Sequence, residues 1–287
     1  MLYRKGSKRL SRSVGGDIFI MLILLLSAAF MALPIVYAVS SAFKPMNELF
    51  VYPPRFFVRH PTLDNFFDLF VIMGRSWVPF SRYLYNSLKI VVLGIVGNVL
   101  LGSLAAYALS KLKFRLKGFL NQMILLSLMF TGAVVQIPNY LTISSLGWLN
   151  THWAIIVPSW ASTLGLFLMK QFIDTMVDDH LLEAARVDGA GELHIFFRIA
   201  MPIVKPAWLT MIILLFQSLW GSTGDTYIYS EKLKTLPYAL NQIIAGGVSR
   251  AGVGAAVTLL MMLLPITVFI VNQSQIIETM GSSGIKD

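Results

Sequence analysis

Five stretches of this chain contain no Asp, Glu, Lys or Arg: residues 18–43, 90–110, 118–169, 206–224 and 251–277. Four of them are 26, 21, 19 and 27 residues long. That is close to the roughly 20 apolar residues that cross a bilayer core as a helix. The remaining run has 52 residues, too many for one helix, and its middle, from Pro138-Asn139 to Gly147-Trp148-Leu149-Asn150, is rich in turn formers. Splitting it there predicts six transmembrane helices, an all-α polytopic membrane protein. Composition agrees, because only 13% of the 287 residues are charged and 56% are hydrophobic, whereas a soluble domain carries about 25% charged residues.

Six spans put both termini on one side, and the basic residues choose which. One side collects 14 of them: Arg4, Lys5, Lys8, Arg9 and Arg12; Lys111, Lys113, Arg115 and Lys117; Lys170, Arg186, Arg198 and Lys205; and Lys286. The other holds seven, Lys44, Arg55, Arg59, Arg75, Lys232, Lys234 and Arg250, with Arg82 and Lys89 at a helix start. The excess predicts cytoplasmic termini in a plasma or inner membrane. It also accounts for the net charge of +9 without nucleic acid. The expected organisation is a cytoplasmic segment 1–16, a six-span domain 17–275 with an external lobe at about 44–82 and a cytoplasmic loop at about 174–205, and a cytoplasmic tail 276–287. The first apolar run is too long for a secretory signal, whose apolar core has about 7–15 residues, so it reads as a retained helix. Five prolines between residues 44 and 82 predict an irregular lobe with short interfacial helices.

The charge-free runs leave no ionisable residue inside a span, and Asp225 stands at the external end of one. Ion-coupled carriers usually place such a residue in the membrane, so coupling to protons or sodium lacks its obvious carrier. A nucleotide-binding P-loop needs a Gly-Lys pair, which the sequence does not contain. His60, His152, His180 and His194 lack metal-ligand spacing, there is no cysteine, and the carboxylates suggest no acid/base pair. Catalytic residues, metal sites and cofactors are therefore not expected in this chain. In the second span, Gly94, Asn98, Gly102, Ala106 and Ser110 recur every four residues, a small and weakly polar stripe that suits close helix packing or the lining of a path.

Six of the 14 acidic residues, Asp174, Asp178, Asp179, Glu183, Asp188 and Glu192, cluster between the fourth and fifth spans. There the sequence reads Glu183-Ala184-Ala185-Arg186-Val187-Asp188-Gly189, nine further residues, then Ile199-Ala200-Met201-Pro202. Glu183 to Ala185 are good helix formers. Gly189, Ala190 and Gly191 present little side chain, so a short helix there is expected to seat its backbone in a partner's groove. Leu193, Phe196, Phe197 and Ala200 form an apolar stripe on a second short helix, and Pro202 and Pro206 end helical continuity before the fifth span. A helix lying on lipid would explain the stripe, but an anionic leaflet repels the acidic cluster. Docking on a protein is the reading that fits both.

This segment closely resembles the EAA signature of ABC importer permeases: EAA, three residues, Gly, nine residues, I-x-L-P, with Met201 in place of Leu. Six identities at that spacing, each at a background near 7%, should coincide in about one in 10⁷ windows. Asn86-Ser87-Leu88, Ile137-Pro138, the stretch from Phe216 to Trp220, Thr235-Leu236-Pro237 and the tail 275–286 are similar to carbohydrate-type permeases, the class of the maltose transporter's smaller membrane subunit. The tail is similar to those of importers for complex or acidic oligosaccharides. The resemblance covers essentially the whole chain.

The resemblance implies a type I ABC importer transmembrane fold in which the 174–205 loop is a helix-turn-helix that docks on an ATPase. Its coupling contacts would be Glu183, Ala184, Ala185, Asp188, Gly189 and Ala190, with Ile199 and Pro202 closing the motif. It implies a second homologous permease, two ATP-binding subunits that carry ATP and Mg, an extracytoplasmic solute-binding protein and a sugar substrate. Asn98, Gln136, Asn139, Trp160, Gln217 and Trp220 are the polar and aromatic candidates for a sugar path, since sugar rings stack on aromatic faces. The alternatives are an ion-coupled secondary carrier whose loop is regulatory, a membrane scaffold or sensor, and an ABC permease for a solute other than sugar.

Overall fold

The computed structural model describes residues 14–130 and 132–283. Arg4, Lys5, Lys8, Arg9, Arg12 and Lys286 lie outside the described residues, as do the first 13 residues of the expected N-terminal segment and the last four of the tail. Helices α1 (Val14–Ala42), α2 (Met46–Leu49), α3 (Asp64–Gly74), α4 (Phe80–Lys111), α5 (Lys117–Leu128), α6 (Gly132–Ser145), α7 (Trp153–Trp160), α8 (Thr163–Met176), α9 (Asp179–Val187), α10 (Glu192–Ile195), α11 (Met201–Ile203), α12 (Lys205–Trp220), α13 (Leu236–Ile244) and α14 (Ala251–Ser283) follow in order. Among the described residues four stretches, Gly15–Ala42, Phe80–Lys111, Trp153–Met176 and Ala251–Val271, are long and apolar enough to cross a membrane, and two bent pairs, α5 with α6 and Glu192–Ile203 with Lys205–Trp220, bring the number to as many as six if each pair is one span. One boundary differs from the sequence expectation. Pro138 and Asn139 lie inside α6, and within the 118–169 run one helix ends at Leu128 and the next at Ser145. Pro138 stands in the second turn of α6, where it costs one hydrogen bond to the preceding turn rather than ending the helix.

The chain divides into two units, Met1–Leu69 with Gly247–Leu259 and Phe70–Gly246 with Leu260–Asp287. In the first, α1 exposes apolar side chains all round, as a helix bathed in lipid does. The chain after it is fastened by buried polar groups. Lys44 is 2% exposed, donates to the Arg55 carbonyl and lies 4.8 Å from the Tyr37 ring centre. The Asn65 amide donates to the carbonyls of Ala42 and Lys44 at 2.9 and 2.8 Å, and the Glu48 carboxylate accepts from the backbone N–H groups of Arg59 and His60, both at 3.0 Å.

In the second unit α4 is the hub, with α7, α8 and α12 packed along it. The small stripe explains why. Gly94, Asn98, Gly102 and Ala106 are all buried. A Cβ on Gly94 would stand 2.5 Å from Leu219 Cδ1 and 2.8 Å from Ser159 Oγ, so α12 and α7 approach the bare backbone. One residue off the stripe, a Cβ on Gly97 would fall 2.0 Å from Trp160 Nε1, which itself donates to the Leu93 carbonyl at 3.0 Å.

The span Trp153–Met176 is interrupted at Ala161 and Ser162, downstream of Pro158. An interrupted helix frees carbonyls that lipid cannot solvate. Asn98 supplies the donor: its amide reaches Ser159 O at 2.8 Å and Trp160 O at 3.2 Å, and Ser162 Oγ caps the new helix by accepting from Gly165 N at 3.2 Å. Gly97→Ala should therefore expel the Trp160 indole and destabilise the solubilised chain by about 1–3 kcal/mol, the usual cost of overpacking. Thermal unfolding checks it, with Gly118→Ala, a site with no atom within 4 Å of the added Cβ, as the neutral control.

Candidate functional site

The loop between α8 and α12 carries the acidic cluster, and its geometry begins with helix ends. Asp178 caps α9 by accepting from His180 N at 3.0 Å. At the other end Gly189 has φ +81°, its N–H donates to Arg186 O at 3.0 Å, and Ala190 N–H donates to Ala185 O at 3.0 Å. These two bonds with a left-handed residue between them make a Schellman cap, closed by the apolar pair Ala185 and Ala190 on the core. Space around Gly189 is open, with nothing within 4 Å of an added Cβ. In this chain the turn requires glycine for its backbone angle, a reason independent of any groove in a partner.

Leu182 is buried and pins α9 onto a cluster of Tyr107, Met169, Ile173, Val177, Ile195, Phe196, Ala200 and Val204. After α10 the chain makes a π turn over Phe196–Ala200, with Met201 N–H donating to Phe196 O. Hydrogen bonding to the fifth residue widens the turn and moves the buried face. Ile195, Phe196 and Ala200 point inward, whereas Leu193 and Phe197 are 67% and 51% exposed. The apolar stripe expected at 193, 196, 197 and 200 is corrected accordingly. The chain then bends by 78° between Ile203 and Lys205 into α12.

The acidic residues split into two sets. Lys170 pairs with Asp174 at 2.7 Å and Ser110 donates to the same carboxylate. Lys111 pairs with Asp179 at 2.7 Å and donates to Val177 O at 2.7 Å. Glu192 accepts from Tyr107 Oη at 2.8 Å and from Arg186 Nε at 2.7 Å. With Asp178 used as a cap, four of the six carboxylates hold the loop to its own chain. Glu183 and Asp188 remain on the outer face, with Glu183 only 3.9 Å from His180 Nδ1 and Asp188 without an ion-pair partner among the described residues. Beside them Ala184 and Gly189 are exposed, Ala185, Ala190 and Ile199 are half-buried, Pro202 is exposed, and Val187 is 87% exposed. The result is a firmly braced hairpin whose tip offers small and apolar side chains flanked by two carboxylates. The ties from Tyr107 and Lys111 were not visible in the sequence, although Ser110 lies on the small stripe.

The candidate path residues are dispersed. Asn98 spends its NH2 group and Trp160 its indole N–H on backbone carbonyls as described, Asn98 Oδ1 is buried without a hydrogen-bond partner among the described residues, and Trp220 is buried, donates to Met261 O at 3.2 Å and stacks on Phe216 with ring centres 5.9 Å apart. Gln136 and Asn139 on α6 and Gln217 on α12 are exposed. An open cleft of about 450 Å³ at the end of α12 is lined by residues that include Ser218, Ser222, Thr223, Asp225, Thr226 and Tyr227. Among the described residues no three carboxylate or imidazole groups converge as metal ligands would.

Gly189→Ala should loosen the hairpin by about 1–2 kcal/mol, the cost of a left-handed conformation for a residue with a Cβ, and Gly189→Asn by less. Hydrogen exchange at the Gly189 and Ala190 amides reads both. The hydrogen bond from Lys111, aided by the nearby charges of His180 and Lys117, holds the Asp179 carboxyl below its ordinary range. A depressed carboxyl pKa gives a contribution that is complete above the ordinary range and is lost as pH falls through the depressed value. Protection at the start of α9 should accordingly drop on acidification in the parent and be low and less pH-dependent in Asp179→Asn.

A family model described as "Binding-protein-dependent transport system inner membrane component" matches residues 98–279. The chain is 31% identical over 216 residues to the inner membrane ABC transporter permease protein YcjP of Escherichia coli K12, covering 74% of this chain and 76% of that one. It is 26% identical to the galactooligosaccharides transport system permease protein GanQ of Bacillus subtilis 168, covering 94% and 95%. Its fold matches a chain in the crystal structure of a bacterial ABC transporter involved in import of the acidic polysaccharide alginate, with TM-score 0.76 at 21% identity, covering 92% and 99%. Six candidate spans, a hairpin that carries the signature at its tip, and a match over more than half of the sequence lead to one assignment: the chain belongs to the binding-protein-dependent transport system inner membrane components, the permeases of ABC transporters.

Proposed function

We propose that this permease is one of two non-identical membrane subunits of an ATP-driven importer for oligosaccharides. Both of its termini are cytoplasmic, and it works with two ATP-hydrolysing subunits and an extracytoplasmic solute-binding protein. The observation that carries the proposal is the braced hairpin. Four carboxylates fasten it to its own chain, while Glu183, Asp188, Ala184 and Gly189 stay on the outside. A surface held this firmly and left open at its tip suits rigid transfer of motion from a partner. Val187 and Leu193 provide apolar area there and the two acidic groups provide orientation. A sugar as cargo is supported by the oligosaccharide named for GanQ and by the hydroxyl-lined cleft at the end of α12, whose donors and acceptors suit a polyol.

Reconstitution in proteoliposomes with the sister permease, the ATPases and the binding protein tests the proposal. Gly189→Trp and Glu183→Lys should each lower uptake and stimulated ATP hydrolysis together by tenfold or more, as loss of about 2–4 kcal/mol at a packed contact does. Sugar affinity of the binding protein should not change. Near-parental uptake by both variants would sink the docking role.

A further inference from the structure

Helix α4 is bonded at both ends to loops that lie far apart along it. At its C-terminal end Tyr107 donates to Glu192 at 2.8 Å, Ser110 donates to Asp174, and Lys111 reaches Val177 O and Asp179, both at 2.7 Å. At its N-terminal end Tyr83 Oη donates to Glu231 Oε1 at 2.7 Å, the Asn86 amide donates to Lys232 O at 3.0 Å and Lys234 O at 2.9 Å, and Ser87 Oγ accepts from Leu236 N at 2.8 Å. Asn86 and Ser87 are 1% and 3% exposed, so these are interior fastenings.

Both sets of bonds sit on one helix of 32 residues with no proline and no interruption, about 48 Å long at 1.5 Å per residue. The other routes out of the hairpin are jointed. The span Trp153–Met176 breaks at Ala161 and Ser162, and the path through α10 and α12 contains a π turn and a 78° bend. Each of these routes therefore contains a joint at which a displacement of the hairpin could be taken up by bending. Entering α4 it meets a continuous rod whose lateral play is restricted by the close approach of Leu219 and Ser159 at Gly94 and of Trp160 at Gly97.

The 231–236 loop is in turn tied to the lining of the cleft. Thr235 Oγ1 donates to Ser222 O and Thr223 O, both at 3.0 Å. The Tyr83 end of α4 is therefore connected to residues 222 and 223 through side-chain-to-backbone hydrogen bonds.

We propose that α4 is the strut that carries hairpin movement to the cleft at the end of α12, with Tyr107 and Glu192 as the positioning pair at one end and Tyr83 and Asn86 at the other. The proposal rests on the docking of the hairpin on an ATPase. Broken at either end, the strut leaves hydrolysis running while the cleft no longer follows it.

The test uses the complete reconstituted complex with a spin label at an exposed residue of each loop, His194→Cys near the hairpin or Thr226→Cys at the cleft, and traps the ATPases with ATP and vanadate. Tyr107→Phe removes one hydroxyl and keeps the ring on Phe196; Asn86→Ala removes the two bonds to Lys232 O and Lys234 O at the other end. Each should reduce the nucleotide-driven change at residue 226 at least threefold and lower the sugar carried per ATP by a similar factor. The change at residue 194 and basal hydrolysis should stay within twofold of the parent. A parental response at residue 226 in both variants overturns the strut, and so does a parallel loss at both labels, which marks a merely structural role. A parent complex with no response at residue 194 would instead remove the ATPase docking on which the proposal stands.

Discussion

A membrane interior supplies no water to a broken helix, so every interruption within a span has to find its own hydrogen-bond donors. Asn98 is where this chain meets that requirement. Its amide takes the carbonyls of Ser159 and Trp160 released at the interruption of Trp153–Met176, from a position on α4 that the small residues around it bring within reach. The indole of Trp160 then fits only because Gly97 has no Cβ. Packing of α7 and α8 on α4, the seat of α12 and the place of the hairpin below them all follow from this approach.

Electrostatics plays a narrower role than the acidic cluster suggests. Asp174, Asp179 and Glu192 are paired with Lys170, Lys111 and Arg186, and hydrogen bonds from Ser110 and Tyr107 bring the first and last of them onto α4. Exposed pairs of this kind add little stability singly. Their effect is geometric, because Lys111, Ser110 and Tyr107 tie Asp179, Asp174 and Glu192 to α4 at fixed places, while Lys170 and Arg186 hold their carboxylates within α8 and within the hairpin. Only Glu183 and Asp188 keep their charge for a partner. The surrounding surface is small and apolar, so recognition there depends on shape as well as sign.

The fold class was readable because lipid imposes a one-dimensional rule. A span needs about 20 residues without charge, and such runs can be counted. The motif was readable for a similar reason, since Glu183 to Gly189 and Ile199 to Pro202 lie within twenty positions and act through local structure. Reading failed where local chemistry had two outcomes. Pro138-Asn139 suits a turn and also tolerates a place in the second turn of a helix, and the structure chose the helix. The stripe from Leu193 to Ala200 assumed a regular α-helix, and with the π turn the buried face is Ile195, Phe196 and Ala200, leaving Leu193 and Phe197 exposed.

The sequence by itself determined the charge-free membrane runs, the small stripe on α4 and the spacing of the hairpin signature, since each depends on residues within a few positions of one another; that Gly189 is there for a left-handed turn came from the structure. Only the tertiary structure decided which carboxylates are spent. Glu192 meets Tyr107 across 85 residues and Asn86 meets Lys234 across 148. No periodicity encodes such pairings, because they exist only once α4 has been packed and its two ends have been brought against loops that the chain forms much later.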